Sequence, residues 1–292
     1  MSDRSTAVNK NFEIPCGDQV LSLDKPKIMG ILNLTDDSFF DGGKHNRGDK
    51  YLYRAAEMIE AGVDIIDVGA ASTRPGSKLI NPIDEWDILE KPLQNLKRNF
   101  SNILISVDTY NSSQVKKCAH LGVHIINDIS GGSWDDKMFH EISNHSMAYI
   151  LMHIQGQPEN MQKSPSYHAV VRDIIDYFSE KLAALEALGF YQTIIDPGFG
   201  FGKTVEHNYQ ILAQLTQFKD LGYPVLAGLS RKSMIFKILN NSPEEALNGT
   251  SVLNTLALQN GAQILRVHDV KEAFETIELF SQYKEGLNQT KE

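Results

Sequence analysis

Eight short runs of apolar, largely β-branched residues recur along the chain, at Lys27–Leu34, Asp64–Gly69, Ile103–Asp108, His124–Ile129, Ala148–His153, Gln192–Asp196, Pro224–Leu229 and Gln263–His268. Continuous apolar runs bounded by turn residues suit parallel strands that are covered on both faces. The stretches between them carry helical spacing. Tyr51–Ala61 spaces Leu52, Ala55, Ala56 and Ile59 in this way and ends at Gly62. Val171–Leu188 places Ile174, Ile175, Phe178, Leu182 and Leu185 on one face and ends at Gly189, and Leu247–Asn260 ends at Gly261. Strand alternating with helix implies right-handed βαβ units. Eight such strands favour a closed α/β barrel, the (β/α)8 TIM barrel, over an open sheet. The expected organisation is an N-terminal segment, residues 1–26, and one barrel domain, residues 27–292. Within the first segment, residues 12–23 read as a β-hairpin that closes the barrel bottom.

Composition narrows the function classes. A chain of 292 residues with 41% apolar and 22% charged residues is ordinary for a globular protein. Its net charge of −9 argues against a nucleic-acid binder, which needs a basic footprint. A local basic pocket for a small anion remains compatible with an acidic chain. Cys16 and Cys118 belong to no metal-binding pattern and read as reduced thiols. No apolar run approaches a membrane span, and Met1 to Asn11 are polar. The expectation is a cytoplasmic protein without membrane association.

In an α/β barrel the C-terminal ends of the strands build the active site. Here those ends carry Asn33; Asp67; Asp108; Asn127 and Asp128; Met152 and His153; Asp196; Ser230, Arg231 and Lys232; and Arg266 and His268. A single Asp after a strand is most simply a helix cap. A polar residue at nearly every strand end is better explained by one ring around one pocket. Asp108, Asn127 and Asp196 supply acceptors and one amide, a set that suits a heterocycle with an edge of N–H donors. Lys232, Arg231, Arg266, His268, Arg74 and Lys203 supply positive charge, which suits a phosphate or pyrophosphate tail. Asp67 and Asp128 read as structural, His153 as a supporting histidine, His45 and His207 as solvent-exposed, and Trp86 and Trp134 as packing residues.

The segment Gly198–Thr204 imitates a phosphate-binding P-loop, but that motif needs a glycine where Pro197 stands. Its glycines are better read as a tight turn that presents Phe201 to the pocket.

These residues resemble one family closely. Met29–Thr35 with Asp37-Ser38-Phe39 and Asp41-Gly42-Gly43, then Ser72–Gly76, Ser106–Thr109, Ile126–Asp128, Met152-His153, Asp196–Thr204, Ser230–Ser233 and Arg266–Val270, look in order like the motifs of dihydropteroate synthases. The resemblance spans about residues 27–275 and implies condensation of 6-hydroxymethyl-7,8-dihydropterin pyrophosphate with p-aminobenzoate. It implies that Asp108, Asn127, Asp196 and Lys232 bind the pterin ring, between walls of Ile129, Met152, Phe201 and Gly228. Asn33, Arg266 and His268 would hold the pyrophosphate, with Asn33 placing Mg2+. Thr73, Arg74, Pro75 and Ser233, with Asp37 and Phe39 of the first loop, would form the p-aminobenzoate side, where sulfonamide analogues compete. A homodimer through helices late in the chain is implied as well. The chain departs from the family pattern at Asp36, where proline is usual, at Phe40, usually serine, and at Ala71, often glutamate. These changes bear on p-aminobenzoate affinity. A pterin-dependent methyltransferase would need neither the pyrophosphate ligands nor Ser72–Gly76; a catalytically silent pterin-binding paralogue would be exposed by its lack of turnover.

Overall fold

The computed structural model describes residues 12–34, 50–70, 76–77 and 79–289. A two-stranded antiparallel hairpin, β1 (Glu13–Cys16) and β2 (Gln19–Ser22), precedes a sheet of eight parallel strands. These are β3 (Lys27–Asn33), β4 (Ile65–Gly69), β5 (Leu104–Asp108), β6 (Ile125–Asp128), β7 (Ala148–Met152), β8 (Thr193–Asp196), β9 (Leu226–Ala227) and β10 (Ile264–Val267). They run β8-β7-β6-β5-β4-β3-β10-β9, and a bridge between Ile195 and Val225 brings β8 against β9. Eight parallel strands with helices between them thus form a nearly closed TIM barrel. The seventh strand is shorter than its apolar run suggests. Pro224 has no N–H to give, and the ladder spans only Leu226 and Ala227.

The helices between and after the strands are α1 (Lys50–Glu60), α2 (Pro82–Asn99), α3 (Ser112–His120), α4 (Met138–Ser143), α5 (Val170–Ala187), α6 (Val205–Ala213), α7 (Ser233–Leu239), α8 (Leu247–Gln259) and α9 (Val270–Gln289), and α1, α5 and α8 fall where the periodicity placed helices. Local chemistry starts several of them. Asn81 accepts from the N–H groups of Ile83 and Asp84, each at 3.0 Å, with Pro82 opening α2. Thr204 and His207 form a reciprocal capping box on α6. His207 is therefore half-buried in a cap, packed edge-on against Tyr167, and not solvent-exposed as expected.

Strand parity explains what faces the barrel axis. Successive strand residues point to opposite faces. Ile66 and Val68, Ile105 and Val107, Tyr149 and Leu151, and Leu265 and Val267 point outward into one large apolar layer shared with the helices. Ile65, Leu104, Ile125, Ala148, Ile194, Leu226 and Ile264 point inward at the N-terminal ends of the strands. There they pack with Ile14, Cys16, Leu21 and Leu23 of the hairpin segment, making an apolar floor. Two residues further along the same inward face, the side chains become polar: Asp67, Ser106, Asn127, Asp196 and Arg266. The barrel is thus apolar at one end and polar at the other. Among the described residues, no helix is long and apolar enough to cross a membrane.

Candidate active site

The polar inward residues meet in one buried network. Arg266, on β10, donates from Nε to Oδ2 of Asp67 at 2.8 Å and lies 2.7 Å from it through Nη2. The same Nη2 reaches Oδ2 of Asp108 at 3.0 Å. Asn127 donates its amide Nδ2 to Oδ2 of Asp67 at 3.0 Å. Asp196 accepts from the N–H of Gly198 at 2.7 Å. Lys232 donates to the carbonyl of Phe199, and its ammonium lies 4.6 Å from the centre of the Phe201 ring.

Gly228 sits where these groups converge. A methyl group there would lie 3.8 Å from Nζ of Lys232, 3.9 Å from Cβ of Arg266 and 4.0 Å from Oδ2 of Asp196. Its hydrogen therefore leaves open the space between three charged side chains. Beside it, Ile129 and Met152 form an apolar wall with Tyr110, and Phe201, Trp134, Ile80 and Ile154 pack against that wall.

Burial sets the electrostatics. It pushes the Asp108 carboxyl up to about 7, against the pull of Arg266, while Asp67 and Glu85 add to the push. Burial also raises Asp196, opposed chiefly by Lys232. It lowers Lys232 to about 8, with Asp196 pulling the other way. Three carboxylates, Asp67, Asp108 and Asp196, thus share the site with two cations, Arg266 and Lys232. That balance favours a ligand edge rich in N–H donors.

His268 stands at the rim. Ser230 accepts from its backbone N–H at 3.2 Å and contacts Nδ1 at 2.9 Å. Arg54 of α1 donates to the His268 carbonyl at 2.8 Å, which fixes the turn after β10. Ser233 opens α7 at the same end of the barrel, half-buried. Asn33 ends β3 opposite Gly69, also half-buried.

Two expected cations are employed elsewhere. Arg231 adopts φ +55 and turns away from the barrel axis. It makes a two-pronged contact with Asp269 at 2.9 and 2.8 Å and reaches the carbonyls of Pro243 and Glu244, bracing the β9–α7 and β10–α9 connections. Lys203 is buried and donates to the carbonyls of Gly198 and Phe201, each at 2.9 Å, and of His153 at 3.3 Å. Burial holds its ammonium well below the ordinary lysine range. A P-loop lysine would point at phosphate; this one is the peg of the Gly198–Gly202 turn. The turn also needs glycine at position 198, where a Cβ would meet the His153 carbonyl oxygen at 2.0 Å.

His153 lies 3.0 Å from Lys203 through Nδ1, and burial holds it well below the usual histidine range, so it serves as a neutral support. Asp128 faces outward and binds the N–H groups of Ser130 and Gly132 and the Tyr149 hydroxyl, a loop anchor as expected. Asp67 is a different matter. The sequence alone gives it a structural place at a strand end; in the fold it is the hub of the inward network. Its parity with Ile65 on the same strand is the signal that could have found it. Trp134 stacks edge-on against Tyr110 at 5.2 Å, and Trp86 underlies Lys117 at 4.9 Å. Asp37, Phe39, Thr73, Arg74 and Pro75, with Asp36, Phe40, His45 and Ala71, lie outside the described residues.

The pterin-binding enzyme family model matches residues 29–268. The Escherichia coli dihydropteroate synthase is 41% identical over 259 residues, covering 88% of this chain and 91% of that one. The chain belongs to the dihydropteroate synthase family. Among solved structures, the Yersinia pestis dihydropteroate synthase in complex with a sulfonamide drug superposes with a TM-score of 0.87 at 38% identity. The match covers 94% of this chain and all of that one. The Xanthomonas albilineans dihydropteroate synthase, solved with 4-aminobenzoic acid, gives 0.86 at 32% identity over 93% and 98% of the two chains. A dihydropteroate synthase is a transferase, and the polar end of this barrel is where its chemistry has to occur.

Proposed function

We propose that this chain joins 6-hydroxymethyl-7,8-dihydropterin pyrophosphate to p-aminobenzoate, giving 7,8-dihydropteroate and pyrophosphate, as a Mg2+-dependent cytoplasmic homodimer of folate biosynthesis. The observation that carries the reading is the buried acceptor cluster beside two cations at the C-terminal mouth of the barrel. Asp108, Asn127 and Asp196 face an N–H edge such as that of a pterin, and Lys232 faces its oxygen or ring nitrogen. Ile129, Met152, Phe201 and Gly228 shape a slot for a flat ring. His268 stands at the rim and Arg266 below it in the buried network, the pair that would meet the pyrophosphate. Thr73, Arg74, Pro75, Asp37 and Phe39, which lie outside the described residues, would join Ser233 on the p-aminobenzoate side.

The reaction breaks the bond between the pterin CH2 and the pyrophosphate oxygen and forms a bond from that carbon to the amine nitrogen of p-aminobenzoate. The amine then loses one proton. Positive charge grows on the ring as negative charge grows on the leaving group. Asp108 and Asp196 favour the first, and Arg266 and His268 favour the second. No covalent enzyme intermediate is required, and the work is positioning.

Among the described residues no cluster of three or more His, Cys, Asp or Glu could hold a metal ion. A hard cation with few protein ligands fits Mg2+, which prefers oxygen donors and commonly arrives with phosphates. Asn33 fits as its one amide-oxygen ligand: it is half-buried at the strand end, and its register partner Gly69 has no side chain to crowd it. When bound, Mg2+ would neutralise charge on the leaving pyrophosphate. Exposed apolar residues late in the chain, Ile238 and Leu239 of α7, Val252 and Leu256 of α8, and Leu279 and Tyr283 of α9, support the homodimer reading.

The test is pyrophosphate release by the purified protein with the pterin pyrophosphate and Mg2+, with p-aminobenzoate present or omitted. The expected result is release that depends on p-aminobenzoate and collapses in Asp196→Ala and Lys232→Ala. Binding of the pterin without release would point instead to a silent paralogue.

A further inference from the structure

Asp67 sits on β4, midway between two partners that are each two strands away in the barrel order, Asn127 on β6 and Arg266 on β10. From that strand an inward side chain reaches both. Its side chain is fully buried, so the contacts cross a water-poor interior. A carboxylate paired with a guanidinium accepts hydrogen bonds and donates none. The group that Asn127 turns toward Asp67 must therefore be its NH2, whichever way an amide is drawn. The amide oxygen of Asn127 is then the end left for a ligand. The same carboxylate oxygen takes both Nε and Nη2 of Arg266, which fixes the plane of the guanidinium.

Asp67 does not look like a residue kept for stability. Its second oxygen, Oδ1, is buried and has no hydrogen-bond partner among the described residues. Burying a carboxylate with one oxygen unsatisfied costs stability. A residue that only held strands together would be better replaced by an apolar one of similar size.

We propose that Asp67 is a positioning residue for the pterin pocket: it sets Asn127 with its acceptor toward the ligand and holds Arg266 in the plane that reaches Asp108. The inference rests on the dihydropteroate synthase reading of the site. Asp67 touches no reacting atom. Its loss acts on recognition of the ring through Asn127, which raises the KM for the pterin substrate, and on the leaving group through Arg266, which lowers kcat.

The experiment compares the parent, Asp67→Ala, Asn127→Asp and the double variant Asp67→Ala/Asn127→Asp. Each is titrated with 6-hydroxymethyl-7,8-dihydropterin pyrophosphate by calorimetry, assayed for KM and kcat, and melted thermally. Asp67→Ala frees the Asn127 amide to turn its donor toward the ligand, and affinity falls about 10- to 100-fold, the range for one mispaired buried polar group. In the double variant, an aspartate at 127 presents an acceptor whichever way it turns and supplies a carboxylate for Arg266. Affinity there returns to within a few-fold of the parent. Asn127→Asp alone sets two carboxylates side by side and binds worse than the double variant. A purely structural role for Asp67 predicts a lower melting temperature in Asp67→Ala with no recovery of binding in the double variant. Asp67→Ala binding within twofold of the parent, or a double variant no better than Asp67→Ala, overturns the proposal. If Asp67→Ala fails to fold, the double variant decides alone, and its own failure to fold also counts against the proposal, because relocation should satisfy Arg266. A parent that does not bind the pterin would refute the functional reading itself, a distinct outcome.

Discussion

Asp108→Asn should separate the electrostatics of this site from its packing. The Asp108 carboxyl is held at about 7 in the folded chain against an ordinary value of 3.8, because burial outweighs the nearby Arg266. A carboxyl raised in this way stabilises the fold fully below about 4, and that contribution is lost as pH climbs to 7. Linkage over that window gives the parent about 3 kcal/mol less stability from this group at pH 8 than at pH 5. Asparagine at 108 does not titrate, so the variant escapes that loss. Its hydrogen bond from Arg266 is weaker, but by an amount that does not change with pH. The difference in stability between variant and parent should therefore rise by about 3 kcal/mol from pH 5 to pH 8. With an unfolding entropy of roughly 0.6 kcal/mol per degree for 292 residues, that is about 5 °C in melting temperature. Scanning calorimetry on both proteins at three pH values measures it. A gap that stays flat or narrows with pH would mean that Arg266, and not burial, sets the Asp108 charge. The variant should meanwhile bind the pterin weakly, since an amide cannot offer two acceptors to the ring.

Gly228→Ala should leave the melting temperature within about a degree of the parent, because the added methyl meets its neighbours at 3.8 Å or more. It should still weaken pterin binding at least tenfold by filling the slot, as calorimetric titration would show. Lys203→Met should cost at least ~3 kcal/mol in denaturant unfolding, since it strips the donor from three buried carbonyls; a neutral result would refute its role as the peg of the Gly198–Gly202 turn. Chelation of Mg2+ should stop p-aminobenzoate-dependent pyrophosphate release while leaving calorimetric binding of unphosphorylated 6-hydroxymethylpterin unchanged, and Asn33→Ala should raise the Mg2+ concentration that restores release.

The strands and helices were legible because both periodicities are intact in the chain. Ile65-Ile66 or Leu104-Ile105 can be buried and apolar on both faces only if helices cover one side and a filled barrel the other. The polar ring was legible as a set, since Asp108, Asn127, Asp196, Lys232 and Arg266 do converge. What sequence could not resolve was the direction of neighbouring side chains in loops. Arg231 and Lys232 are adjacent, yet a left-handed residue at 231 sends one to Asp269 while the other approaches Phe201. Lys203 carries the charge of a phosphate ligand, but the turn around it presents carbonyls inward, and the ammonium follows them. The role of Asp67 is hidden in the sequence because capping is the common use of an aspartate near a strand end. Counting parity from Ile65 would have placed it inside the barrel.

The division of the barrel into two ends explains how such a site can exist at all. Three carboxylates and two cations gathered in one interior work against folding, as the raised Asp108 and lowered Lys232 show. The apolar floor beneath them, where the hairpin segment's Ile14, Cys16, Leu21 and Leu23 meet the first inward residue of most barrel strands, does two things at once. It supplies burial that offsets the polar layer. It also keeps water from entering along the axis, which lowers the local dielectric and strengthens every contact of Asp67, Arg266 and Asn127 above it. The hairpin therefore belongs to the active site in energetic terms, although it packs at the opposite end of the barrel. Because most of the ring (Asp67, Asp108, Asn127, Asp196 and Arg266) is carried by strands, its atoms are held by the ladder register, from Asn33 opposite Gly69 to Met152 opposite Asp196. A reaction that depends on placing a flat ring between fixed acceptors and a departing anion is suited to that rigidity.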